Sequence, residues 1–110
     1  MRPMIVLAAM GVLAVAAETA HAQDLAKGAQ VYGAQKCQMC HSVAGKGGKV
    51  SALDGIGKKL TAAEIKEWIV DPAAAESRHK SVKKPSMPKT YAKLPAADID
   101  GLVAYLQTLK

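Results

Sequence analysis

Phenylalanine is missing from this chain, and only one Trp and three Tyr stand in for it among 110 residues. So few aromatics make a poor core for a small domain, which buries a modest share of its surface and often needs a staple. Acidic charge is also scarce, with fifteen Lys and Arg against nine Asp and Glu, a net charge of +6. No apolar run reaches the roughly 18 residues that read as a membrane-spanning helix. There are no internal repeats, and no low-complexity stretch beyond the N-terminal apolar segment. Cysteine occurs twice, so no third thiol is left over.

Those two cysteines lie in Cys37-Gln38-Met39-Cys40-His41, the most informative segment present. The spacing is that of covalent haem attachment. Two thiols add across the two vinyl groups of a haem, and the following histidine is placed to bind its iron. Three other readings compete. A thioredoxin-like redox pair expects a strand-helix-strand context, and no alternating apolar run supplies one. A zinc site could draw nominally on Cys37, Cys40, His41 and His79, but adjacent Cys40 and His41 would have to converge on one ion. A Cys37–Cys40 disulfide is the third.

The N-terminus reads as a secretory signal peptide. Arg2 supplies the positive start, Met4 to Ala17 the apolar run, and Ala20-His21-Ala22 a small-x-small cleavage site. The expected organisation is a cleaved signal over residues 1–22 and one domain over 23–110. Bacterial c-type haem is attached outside the cytoplasmic membrane, so export and attachment motif agree on a periplasmic location. Cleavage leaves the charge at +6, because Arg2 and Glu18 depart together. A basic exported protein is suited to acidic protein partners or anionic lipid, not to nucleic acid. No stable membrane anchor is expected after cleavage.

Along the mature chain, Asp24 to Ala34 predicts a first helix, with Asp24 as its cap and Leu25, Gly28, Val31 and Tyr32 on one face. Val43 to Lys59, rich in Gly and Lys, reads as an irregular loop. Thr61-Ala62-Ala63-Glu64 is a capping box opening a second helix, with Ile65, Trp68 and Ile69 as its buried stripe. Asp71-Pro72 ends that helix and can start another short one over Ala73 to Arg78. Ser77 to Leu94 is basic and reads as irregular. Pro95 opens a last helix to about Leu109, along which Ile99, Leu102, Val103, Leu106 and Leu109 keep the helical period. Long loops between three main helices suit a chain that wraps a cofactor. The apo-protein is accordingly expected to fold badly.

A haem bound through His41 has a sixth iron position to fill. Met1, Met4 and Met10 leave with the signal, and Met39 is too close to His41 to reach the other face. Met87 remains, held between Pro85 and Pro88, which stiffen its backbone. The other candidate, His79, reads as an exposed residue in a basic run. A His/Met pair closes both axial positions and raises the reduction potential, which suits single-electron transfer. An open or labile sixth position would instead suit a haem c ligand sensor or a peroxidase-like enzyme.

With these residues in place the chain resembles the class I c-type cytochromes, the small soluble monohaem type, over its whole mature length. The resemblance is carried by Cys37-Gln38-Met39-Cys40-His41, Pro85-Ser86-Met87-Pro88, Gly28 with Tyr32, and Leu102-Val103-Ala104-Tyr105-Leu106. Ala52-Leu53-Asp54-Gly55-Ile56-Gly57 matches the loop after the haem histidine. It implies an all-α fold, three main helices plus loops around one covalent haem c held by Cys37 and Cys40, with His41 and Met87 as axial ligands. It implies Gly28 and Tyr32 crossing the last helix at its Leu-x-x-Tyr-Leu face, and Glu67-Trp68-Ile69 over the propionate side. The implied function is non-enzymatic electron carriage by a monomer between redox proteins. Lys80, Lys83, Lys84, Lys89 and Lys93 crowd the distal segment, with Lys58 and Lys59 joining, and this charge is expected to steer docking toward acidic partners. One position departs from the family pattern: Ser51 stands where a proline carbonyl usually accepts a hydrogen bond from the proximal imidazole. A serine carbonyl can do the same.

Overall fold

The computed structural model describes the backbone of residues 12–110 and the side chains of residues 20–110. Among the described residues five helices carry the fold: α1 (Val12–Ala34), α2 (Ile56–Lys59), α3 (Ala62–Val70), α4 (Pro72–His79) and α5 (Ala96–Gln107). Helix α1 begins earlier than expected. Asp24 lies inside it, not at its cap, because no Gly or Pro interrupts the alanine-rich stretch from Val12 to Lys27.

The expected irregular loop between the haem motif and α2 contains three short strands. They are β1 (His41–Val43), β2 (Lys46–Gly47) and β3 (Ser51–Ala52), in the order β2-β1-β3. β1 pairs antiparallel with β2 and parallel with β3, where His41 faces Ser51. Two- and three-residue strands are too short to show an alternating pattern, and glycine-rich sequence hides them further. Gly47 adopts φ 123°, and a β-carbon added there would collide with the His41 carbonyl oxygen, so a side chain would be both strained and obstructed.

Local signals elsewhere act as their chemistry dictates. Thr61 caps α3 and Glu64 returns the bond to the Thr61 N–H at 2.9 Å. Asp71 caps α4, with Pro72 as its first residue. The irregular reading of Ser77 to Leu94 holds only in part: α4 continues to His79, and Lys89–Lys93 forms a 3-10 helix. Helix α5 starts one residue after Pro95 and ends at Gln107.

The core gathers Val31 of α1, Ile65 and Ile69 of α3, and Ile99, Leu102, Val103 and Leu106 of α5. Its tightest point is the crossing of α1 on α5. A β-carbon added at Gly28 would collide with the Gly101 carbonyl and stand 2.6 Å from Tyr105 Cβ. One turn on, the rings of Tyr32 and Tyr105 meet with centroids 5.7 Å apart. Lys27 pairs with Asp98 across the same seam at 3.2 Å. Gly28→Ala should cost about 1–3 kcal/mol by overpacking, read by denaturant unfolding of the haem-loaded protein. A change within error of zero would mean that the helices do not cross this closely.

Candidate haem-binding site

Beside this crossing lies a cavity of about 540 Å3, lined by α1, α3, α5 and the loops between them. Its lining is mostly apolar, with Leu53, Ile65, Ile69, Leu102 and Leu106 among the contributors. Cys37, Cys40, His41 and Met87 all line it. The fold therefore brings together, on the walls of one cavity, four residues drawn from segments almost fifty positions apart.

The attachment motif is folded by its backbone. Lys36, at φ 58°, turns the chain out of α1 into a 3-10 turn over Cys37–Met39. The Gly48 N–H donates back to the Gln38 carbonyl at 2.8 Å, and the Val50 and Ser51 N–H groups donate to the Cys40 carbonyl at 3.0 and 3.1 Å. Both cysteines are half-buried, and no disulfide joins them. Burial pushes the Cys37 thiol up, partly offset by a backbone hydrogen bond.

His41 is oriented by the departure from the family pattern at Ser51. Its Nδ1 lies 3.0 Å from the Ser51 carbonyl oxygen, so Nδ1–H donates and Nε2 keeps its lone pair. Burial pushes the imidazole below its ordinary value; the Ser51 carbonyl opposes this, and the Lys83 charge adds to it. The neutral ring is the form that binds a metal. The Ser51 hydroxyl, which a proline would lack, lies 3.4 Å from Lys83 Nζ.

Met87 is half-buried on the distal segment between α4 and the 3-10 helix. His79 differs from the expected exposed residue. Its side chain is only 25% exposed, stacks on Trp68 at a centroid distance of 5.6 Å and faces the cavity. Its setting in a run of charged residues concealed this. The helical spacing of Asp71-Pro72 to His79 was the available signal, since it returns His79 toward α3. Lys59, Lys80 and Lys83 reach the cavity wall; Lys58, Lys84, Lys89 and Lys93 are exposed.

Two observations test whether these residues fit a haem. Among the described residues, no group of three or more His, Cys, Asp or Glu is placed to hold a metal ion, so the nominal zinc set is not assembled. In addition, Tyr32 Oη and His79 Nε2 are buried without a hydrogen-bond partner, and both residues line the cavity. Burial, with smaller contributions from Cys37, Tyr105 and Asp54, pushes the Tyr32 phenol up, so it stays a neutral donor. An apolar chamber with two thiols, an oriented imidazole and two unsatisfied polar atoms fits a porphyrin.

A family model described as Cytochrome c matches residues 25–110. The chain belongs to the cytochrome c family. No curated protein and no solved structure matches it. As a cytochrome c it carries one covalently attached haem c, and Cys37 and Cys40 are the cysteines that attach it. The mainly helical architecture is that of the family. Its general business is haem-based electron transfer with redox partners. Because the cavity is part of the core, protein prepared without haem should lack a cooperative thermal transition by calorimetry. A compact apo form melting cooperatively would show that the polypeptide fills this space unaided.

Proposed function

We propose that this cytochrome c is a periplasmic one-electron carrier whose haem iron is bound by His41 and Met87. The observation that carries the reading is the placement of His41 and Met87 on the walls of the cavity that also holds Cys37 and Cys40. When bound, the haem supplies an iron that takes up and releases single electrons. The chain does the rest. The Ser51 carbonyl fixes the imidazole and leaves Nε2 for the metal. A thioether from Met87 favours the ferrous state, and apolar walls exclude water.

Export rests on the sequence of residues 1–22, of which residues 1–11 lie outside the described residues. Cleavage after Ala22 is compatible with the fold. Residues 20–24 are exposed, and the α1 side chains that meet α5 begin beyond them. A shortened α1 would bring Asp24 to its N-terminus, where an acidic side chain is favourable. No helix among the described residues is long and apolar enough to cross a membrane. In this reading the mature domain is a monomer without a membrane anchor, and it acts as a carrier, not an enzyme. Its partners carry acidic docking surfaces, met by the lysines around the distal segment.

The visible spectrum of haem-loaded protein tests the ligand set. Oxidised protein should show the weak far-red methionine-to-iron band, and Met87→Ala should lose it and bind carbon monoxide when reduced. Carbon monoxide binding by the unaltered protein near neutral pH would favour a ligand sensor or peroxidase-like enzyme instead. Docking has its own measurement. Electron transfer with an acidic partner should slow steeply as ionic strength rises, because screening shortens the reach of the lysines. A rate indifferent to salt would remove electrostatic steering.

A further inference from the structure

We propose that Asp54 is a positioning residue for His41: its carboxylate completes the β1–β3 ladder and so holds the Ser51 carbonyl on the imidazole. The inference rests on His41 being an axial ligand. Its starting point is the bond from the Ala44 N–H to Asp54 Oδ1, 2.7 Å long. A charged acceptor at that length makes the stronger kind of hydrogen bond. Asp54 is exposed, so it acts through the sheet and not by touching the cofactor.

The ladder shows what the carboxylate replaces. β1 and β3 run parallel, with His41 opposite Ser51 and Ser42 opposite Ala52. The Ser51 N–H donates to the Cys40 carbonyl at 3.1 Å, and the Leu53 N–H to the Ser42 carbonyl at 2.8 Å. Evenly spaced parallel pairing would next join the Ala44 N–H to the Leu53 carbonyl. That carbonyl is taken by the Ile56 N–H at 3.0 Å, where the chain turns into α2. Asp54 Oδ1 stands in for it, and the ladder gains a rung that the backbone alone does not provide.

The rung falls where the backbone most needs it. Ala44 adopts φ 52° and Gly45 φ 79° in the two-residue turn between β1 and β2. A left-handed alanine is costly and persists only where its surroundings hold it. Strands of two and three residues also pair weakly by themselves. The residue whose carbonyl must be fixed is Ser51, which lacks the ring that locks φ in a proline. Its oxygen lies 3.0 Å from His41 Nδ1, and such a bond weakens steeply as its angle opens. Asp54 ties β1, just past His41, to the chain just past Ser51. An imidazole held on its carbonyl donates more strongly to a metal. Loosening it weakens that donation, which supports ferric iron most, and so raises the reduction potential.

The test uses haem-loaded wild type, Asp54→Asn and Asp54→Ala. Asparagine keeps an acceptor oxygen and loses the charge; alanine loses both. Hydrogen exchange of the His41 Nδ1–H is read by NMR in the reduced state. It should quicken roughly three- to tenfold in Asp54→Ala and stay near the wild-type rate in Asp54→Asn. The change should exceed any at the Leu102 and Val103 amides of α5, which report opening of the whole fold. The reduction potential should be higher in Asp54→Ala than in Asp54→Asn, a difference that the charge loss common to both does not produce. An unchanged Nδ1–H rate in Asp54→Ala overturns the proposal. So does a rate in Asp54→Asn as fast as in Asp54→Ala, or equal potentials in the two variants. Equal quickening at Leu102 and Val103 overturns it too, because Asp54 then serves stability alone. A wild-type His41 whose ring protons lack the shift of a haem-bound imidazole refutes the ligand reading, and the proposal with it, before any variant is made.

Discussion

The close crossing of α1 on α5 is the constraint from which the rest of the molecule follows. Two glycines, Gly28 and Gly101, let the backbones approach until no β-carbon fits at Gly28. That contact fixes the two ends of the domain against each other. It leaves Tyr32, Leu102 and Leu106 facing the same interior space. Everything between the helices must then pass around that space. The attachment turn, the small sheet, α3 with α4 and the distal segment each contribute one wall. A chain so poor in aromatics does not fill the chamber itself, and the covalent cofactor completes the core.

The chemistry was more legible in the sequence than the architecture around it. Cys37, Cys40 and His41 announce themselves because thioether attachment demands an unvarying local spacing. The capping box at Thr61 and the Asp71-Pro72 junction are equally local, and both fold as their side chains require. The strands near His41 were hidden because their pairing is decided by glycines and by tertiary contact, not by alternation. Helix α1 runs back past Asp24 through the alanine-rich residues 12–22, whose propensity extends it, and Asp24 can cap only a chain that begins at Gln23. His79 was concealed for a different reason. A histidine among lysines reads as surface, and only the return of α4 onto α3 turns its ring inward to Trp68.

The surroundings of His41 are shaped as much by backbone as by side chains. His41 sits in β1 directly opposite Ser51 in β3, so the carbonyl that orients its imidazole is held by the sheet itself. A proline at that position would keep the carbonyl but surrender the Ser51 N–H bond to Cys40, leaving the Val50 N–H to hold the turn. The His41 wall of the chamber therefore combines a loosely specified residue type with a closely specified backbone.

Ser51 also has a second neighbour. Its hydroxyl lies within reach of Lys83, a residue of the strap that carries Met87. The contact is long and exposed, so it adds little to stability. Its importance is informational. The two sides of the chamber, distant in sequence, share a residue whose carbonyl steers one face while its side chain touches the other. A partner carboxylate that captured Lys83 would also take away a neighbour of the residue that aims His41. The exposed lysine at the rim and the imidazole inside the chamber are, in this chain, only one residue apart.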